Sequence, residues 1–281
     1  MGYAKVKSYA KINLTLDILG VQGGYHMLDS VVASIDIYDL ITARSRRDDG
    51  IFVTMRGMGS VTIPPEKNNA VKAAERFVEY FKTDGADITI HKNIPIGAGL
   101  GGSSADVAGV LNALSKLYSI DDYNALKSIA DELGSDSGYM LTGGYARISG
   151  RGEKIKPIDT DLKLDIGLIV PERGVSTAEC FALSDSLEKG SLQSSLAESA
   201  LINGDLQALG ANLTNGLYPA ATKLNPDIEE AYNFLASFDP VGVNMTGSGS
   251  AVYAIFENDQ FLSYAKSRNK TKYKFITTKT V

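Results

Sequence analysis

The sequence predicts an α+β protein of two domains, and three observations lead there. Residues 10–18 alternate, with Ala10, Ile12, Leu14, Leu16 and Ile18 on one side and Lys11, Asn13, Thr15 and Asp17 on the other, the period of a half-buried strand. Beyond residue 102 the period lengthens: Ala108, Leu111, Leu114 and Leu117 recur every three residues, an apolar stripe along a helix. Helical and strand-like segments then mix without the regular βαβα alternation of a parallel sheet. A chain of 281 residues suits two domains at about 100–200 residues each. The boundary is placed at Lys156-Pro157, which gives domains 1–156 and 157–281.

Apolar, β-branched runs predict further strands at Val31 to Ile37, Leu40 to Ala43 and Ile51 to Met55, followed by a helix from Ala70 to Phe81. The segment Asp87-Ile88-Thr89-Ile90-His91-Lys92-Asn93 alternates like a half-exposed antiparallel strand. A helix from Asn124 to Leu133 stops at Gly134, a residue suited to a left-handed C-cap. Gly143 to Glu153 reads as a strand and turn. In the C-terminal half, Leu164 to Val170 is β-rich and a Ser-rich stretch from Ser184 to Ser199 carries polar helices. Strands return at Gly242 to Met245, Ala251 to Phe256 and Tyr273 to Thr278.

Composition narrows the classes of function. At 44% hydrophobic and 22% charged the chain is an ordinary globular one. No apolar run approaches the roughly 18–20 residues of a membrane span, and Gly2 to Lys7 lacks a signal-peptide core, so the expected setting is cytoplasmic, with no membrane partner. The lone Cys180 excludes an intrachain disulfide, and His26 and His91 leave little for a zinc site. A net charge of −5 argues against a nucleic-acid partner held by a general basic surface.

The chemistry concentrates in Pro95-Ile96-Gly97-Ala98-Gly99-Leu100-Gly101-Gly102-Ser103-Ser104-Ala105-Asp106, directly before the apolar helix. Glycines admit positive φ and close approach of backbone N–H groups, while the helix aims its unsatisfied N–H groups at an anion. The loop reads as a phosphate cradle. Gly97, Gly99 and Gly102 also satisfy G-x-G-x-x-G, yet the strand before them alternates where a dinucleotide fold needs a buried parallel strand. A Walker A loop requires Gly-Lys-Ser/Thr, and this chain has Gly102-Ser103-Ser104.

The pattern Pro-x-Gly-x-Gly-Leu-Gly-Gly-Ser-Ser-Ala resembles the ATP-binding motif of the GHMP kinases. Ala10-Lys11-Ile12-Asn13-Leu14 and Met245-Thr246-Gly247-Ser248-Gly249-Ser250-Ala251 resemble that family's other motifs, in the family's order. The resemblance implies an N-terminal domain like the second domain of ribosomal protein S5 and a ferredoxin-like C-terminal domain. It implies a monomeric or homodimeric small-molecule kinase using ATP and Mg²⁺. ATP falls to Pro95, Gly97, Ala98, Gly99, Leu100, Gly101, Gly102, Ser103 and Ser104, with Lys92 and Asn68 near the nucleoside and Ser104 as the candidate magnesium ligand.

Asp136 matches the family's catalytic aspartate and Lys11 the lysine that pairs with it, keeping a carboxylate ionised and offsetting developing charge. Gly24-Tyr25-His26, Gly150-Arg151-Gly152-Glu153 and Gly174-Val175-Ser176-Thr177-Ala178 with Phe181 resemble the members that phosphorylate a cytidine diphosphate-linked polyol for isoprenoid synthesis. Mevalonate, phosphomevalonate or homoserine kinases, or a non-catalytic nucleotide sensor, are the alternatives within the fold. In the cytidine reading, Tyr25 and Phe181 sandwich the base and His26 meets its polar edge. Asn13, Thr177, Gly247 and Ser248 then face the rest of the substrate. The family usually continues Val-Pro-Phe after its aspartate; here Ser137-Gly138-Tyr139 follows, and glycine there is expected to loosen the turn.

Overall fold

The computed structural model describes residues 2–57, 64–188 and 190–281. In chain order, β1 (Tyr3–Asn13), β2 (Thr15–Gln22), β3 (Tyr25–Ser45) and β4 (Ile51–Gly57) precede α1 (Asn69–Phe81), β5 (Ala86–Lys92) and α2 (Gly102–Tyr118). Next come α3 (Tyr123–Leu133), α4 (Ser137–Met140), β6 (Tyr145–Gly150), β7 (Lys154–Pro157), β8 (Asp165–Ile169), α5 (Thr177–Ser184), α6 (Ser194–Ile202) and α7 (Leu206–Ala211). The chain ends with β9 (Thr214–Asn215), α8 (Tyr218–Leu224), α9 (Asp227–Ala236), β10 (Gly242–Met245), β11 (Val252–Phe256), α10 (Asp259–Ser267) and β12 (Phe275–Lys279). The α+β class expected from the sequence is what forms. Two compact units result: Met1–Ala10, Ile37–Pro95 and Gly101–Gly143 make one, and Lys11–Asp36, Ile96–Leu100 and Gly144–Val281 the other.

In the first unit β5 pairs antiparallel with the end of β3, from Leu40↔His91 to Ser45↔Ala86, and parallel with β4, from Ile51↔Ala86 to Gly57↔Lys92. Ile88 and Ile90 of β5 join Ile41, Phe77, Val110, Leu111 and Leu114 in one buried core. Each such side chain contributes about 1.5–3 kcal/mol by leaving water. Asn68 starts α1, its amide oxygen accepting the Ala70 N–H at 3.0 Å. Helix α2 presses on the strands at Gly109, where a Cβ would stand 2.5 Å from Ile41 Cδ1 and 2.9 Å from Ser8 Cβ.

Two expectations are corrected here. The sequence suggests separate strands at Val31 to Ile37 and Leu40 to Ala43, but β3 runs unbroken for 21 residues. Asp39, which lies between those two ranges, is fully buried and serves as an ion partner: its Oδ1 accepts the N–H groups of Asn93 (2.6 Å) and Ile94 (2.9 Å), and its Oδ2 accepts Lys92 Nζ. Lys92 Nζ also donates to Asp106 Oδ2 at 2.6 Å, which ties β3, β5 and α2 together. Gly134, in turn, ends α3 in extended backbone (φ 179°), not in the left-handed conformation. What excludes a side chain there is space, since a Cβ would lie 2.7 Å from Ser137 Oγ and 3.1 Å from Ser104 Oγ.

In the second unit the first half of β3 pairs antiparallel with β2 (Asp17↔Asp29) and with β6 (Leu28↔Gly150), and β9 adds in parallel to β2. A separate antiparallel sheet has the order β10-β11-β8-β12. With helices between β8 and β10 and α10 between β11 and β12, this is the ferredoxin-like βαββαβ arrangement. Tyr145, for which the sequence offers no role, is buried and bonds through its hydroxyl to the Leu162 carbonyl (2.9 Å) and Thr280 Oγ1 (3.0 Å). Burial pushes that hydroxyl up to about 12. Among the described residues no helix is long and apolar enough to cross a membrane.

Two measurements test this packing. Gly109→Ala should lower unfolding stability by about 1–3 kcal/mol in urea titration, because the added methyl has nowhere to go; a neutral result would mean the helix shifts freely. Burial pushes the Asp106 carboxyl up to about 7, with Lys92 opposing and Asp39 adding to the rise. The folded chain then holds a proton that the unfolded chain releases, so stability falls as pH rises from about 4 towards 7. Asp106→Asn removes that dependence and should gain about 1 kcal/mol or more on the wild type between about pH 5 and pH 8; parallel pH curves would place the proton elsewhere.

Candidate active site

The glycine-rich segment leads into α2 at Gly102, and its N-cap residue Gly101 has φ 75° and ψ 21°. No side chain caps this helix start. The first-turn N–H groups of Gly102, Ser103 and Ser104 are thus left in the state in which a helix N-terminus receives an anion. Pro95, Gly97, Ala98, Gly99 and Leu100 lead up to it, with Gly97 at φ 67° and Gly99 at φ 75°. Ala98 and Leu100 are buried, so the loop is anchored by alternate apolar residues.

Within the second unit the three motifs read from the sequence meet. Lys11 and Asn13 are both buried, so this is no solvated strand face. Lys11 Nζ donates to Asn13 Oδ1 at 2.6 Å, and the Lys11 N–H donates to the Leu100 carbonyl at 3.1 Å. Asn13 Oδ1 also accepts the Gly247 N–H at 3.0 Å, while the Asn13 N–H donates to Thr246 Oγ1 at 3.0 Å. Thr246 Oγ1 bonds Gly99 O at 3.2 Å, and Ala251 N–H donates to Ala98 O at 3.1 Å. A Cβ on Gly99 would fall 2.1 Å from the Thr246 carbonyl oxygen, so the approach and the positive φ both require glycine. Thr177 Oγ1 and Ser248 Oγ stand 2.9 Å apart, which brings α5 to the same loop. Thr246, central to this web, carries no signal beyond its place in the motif.

Within the first unit, Lys92 is buried against Asp39 and Asp106 and lies 3.5 Å from the Gly102 carbonyl. Its charge is neutralised inside the protein at the base of the loop. Asn68 uses its side-chain oxygen as the cap of α1. Asp136 takes the N-cap position of α4, but its side chain makes no cap bond there. Ser137, Gly138, Tyr139 and Met140 form α4 and are all buried, so the expected loosening at Gly138 is replaced by one packed helical turn. Ser137 Oγ is buried without a partner among the protein atoms, and Gly134 has both it and Ser104 Oγ as neighbours.

The aromatic residues take a different arrangement from a waiting sandwich. The His26 ring lies on Phe181, centroids 4.6 Å apart at 31°. Tyr25 is 58% exposed and carries the Arg151 guanidinium over its ring at 4.8 Å. His26 Nε2 pairs with Asp185 Oδ1 at 2.8 Å. Sequence reading missed Asp185; its spacing of four from Phe181 on α5 is the signal that could have found it.

Comparison with known proteins identifies the family. The family model described as GHMP kinases N terminal domain matches residues 68–146, and that described as GHMP kinases C terminal matches residues 197–270. A 4-diphosphocytidyl-2-C-methyl-D-erythritol kinase of Caldicellulosiruptor saccharolyticus is 36% identical over 276 residues, covering 96% of this chain and 94% of that protein. One of the same name from Desulfitobacterium hafniense is 40% identical over 259 residues, covering 90% and 87%. Among solved structures, a 4-(cytidine 5'-diphospho)-2C-methyl-D-erythritol kinase superposes with a TM-score of 0.81 at 27% identity, covering 98% of both chains. A homoserine kinase from Cytophaga hutchinsonii shares the fold at a TM-score of 0.77 and 17% identity, covering 100% of this chain and 95% of that one. With both family domains matched and relatives aligned from end to end, the chain belongs to the GHMP kinase family.

Proposed function

We propose that the chain transfers the γ-phosphoryl group of ATP to the 2-hydroxyl of 4-diphosphocytidyl-2-C-methyl-D-erythritol, in the non-mevalonate route to isoprenoid precursors. The observation that carries this choice within the family is the His26–Phe181 pair with Tyr25 beside it in sequence, in a chain aligned end to end with relatives of that name. Binding ATP requires none of these three residues. They supply aromatic faces and one imidazole edge, which is what a pyrimidine base needs.

Phosphoryl transfer asks mainly for positioning and charge neutralisation. The backbone of Gly97 to Ser104 is assigned to the ATP phosphates through its N–H groups and the start of α2. Asp136 is assigned the proton of the attacking hydroxyl, because it stands at the position that resembles the family's catalytic aspartate, directly before α4. Lys11 is assigned to the developing negative charge, and Asn13 acts through it, by holding Nζ at 2.6 Å. Thr177 and Ser248 offer paired hydroxyls to the substrate. Magnesium, when bound, neutralises phosphate charge. Ser104 is the protein residue that would hold it; the described residues hold no group of three His, Cys, Asp or Glu side chains suited to a metal. The matched segments 68–146 and 197–270 fall one on each side of residue 156, which supports domains 1–156 and 157–281 as units of descent.

The test is ADP release with Mg-ATP and four acceptors in turn: the cytidylated methylerythritol, mevalonate, phosphomevalonate and homoserine. Turnover of the first alone is expected, and turnover of another in its place would move the chain to a different branch. Asp136→Asn should lower kcat by roughly 10²–10⁴-fold with the KM for ATP little changed; an unchanged kcat removes Asp136 from proton transfer. Phe181→Ala should raise the KM for the cytidylated acceptor by roughly tenfold, the scale of one lost aromatic contact, with kcat nearly constant. An unaltered KM would remove the base pocket from α5.

A further inference from the structure

We propose that Asp185 fixes the proton on the His26 ring and so makes this site read cytosine rather than uracil; the inference rests on the cytidine reading above. His26 Nε2 stands 2.8 Å from Asp185 Oδ1. An ionised carboxylate can only accept, so the hydrogen of this bond belongs to Nε2. In the neutral ring the other nitrogen, Nδ1, is then a bare acceptor. Cytosine carries a 4-amino donor where uracil carries an oxygen acceptor. An acceptor at Nδ1 pairs with the first and opposes the second.

The ring is held by more than this one bond. Phe181 covers its face, with centroids 4.6 Å apart. Asp185 sits one turn further on, at the C-cap of α5, where its own N–H donates to the Phe181 carbonyl at 3.2 Å. A single helical turn therefore supplies both the stacking surface and the hydrogen-bond acceptor. Their relative placement is set by backbone geometry, not by a loop. Asp185 is a positioning residue, acting on the base through His26. Its side chain is 49% exposed and that of His26 21%, so the expected discrimination is about tenfold, the scale of one solvent-accessible charged hydrogen bond. A buried polar site would give far more.

The chain has two histidines, so a sample labelled with ¹⁵N-histidine gives two ring patterns to assign. In the ligand-free wild type His26 should show the Nε2–H tautomer, and Asp185→Ala should convert it to a mixture. Asp185 is half exposed, so this substitution leaves the core intact. In kinetics, the kcat/KM preference for the cytidine acceptor over its uridine analogue should fall about tenfold in Asp185→Ala, through KM and not kcat. Asp185→Asn should restore part of it, since its amide oxygen still accepts from Nε2. An Nδ1–H or doubly protonated His26 in the wild type overturns the proposal, as does an Ala variant with unaltered tautomer and preference. Wild-type protein that fails to phosphorylate the cytidine acceptor overturns the proposed function instead, and the base preference with it.

Discussion

The side-chain amide of Asn13 is the constraint on which the second unit's part of the site depends. Its oxygen receives Lys11 Nζ and the Gly247 N–H, its nitrogen donates to Ser30 Oγ at 2.9 Å, and its backbone carbonyl accepts the Tyr253 hydroxyl at 2.9 Å. Lys11, Asn13, Ser30 and Tyr253 are buried, and Gly247 is partly so. A buried polar group left without its partner costs about 1–3 kcal/mol, so the members of such a web form together or not at all. One residue thereby joins β1, β3 and the turn between β10 and β11. The Lys11 ammonium keeps one position because its acceptor has no freedom to move.

The turn Asn13 holds is the same one that meets the glycine-rich segment. Thr246 gives its hydroxyl to Asn13 and Gly99 and its carbonyl to the space a Gly99 side chain would fill. The loop is shaped from outside as much as by its own glycines. Preorganised N–H groups act on charge without reorganising when the reaction occurs, and rigid clasping of this kind supplies that condition.

What the sequence made legible were features whose signal is local. The apolar stripe of α2 and the glycine density before residue 102 each follow from short-range geometry, and the structure has both. The alternation of residues 10–18 marked strand correctly but not a half-exposed one, since the chain bends at Leu14 between β1 and β2 and Lys11, Asn13, Thr15 and Asp17 are all buried. Ferredoxin-like strand order came only through resemblance, because register and pairing are set by contacts far apart in sequence. The continuity of β3 through Asp39 was hidden for the same reason: the partners that let a charged residue sit buried in a strand, Lys92 and the N–H groups of Asn93 and Ile94, lie more than fifty residues away. Gly134 misled in a subtler way. Glycine after a helix usually signals a left-handed cap, and here it signals two serine hydroxyls occupying the room a Cβ needs. The site roles of Tyr25 and Phe181 rested on ring type, and the sequence held no hint that Arg151 and His26 would already lie against them.

Lys92, at the base of the glycine loop, places an ammonium between the carboxyl groups of Asp39 and Asp106. A P-loop enzyme uses its lysine as a point charge reaching for phosphate; here the lysine beside the loop is a structural cation whose field is cancelled within a few ångströms. In the function proposed above, the loop would then act on phosphate through oriented backbone dipoles, and a dipole's field falls away faster with distance than that of a charge. Such a surface does little to gather anions from afar and acts on those already seated.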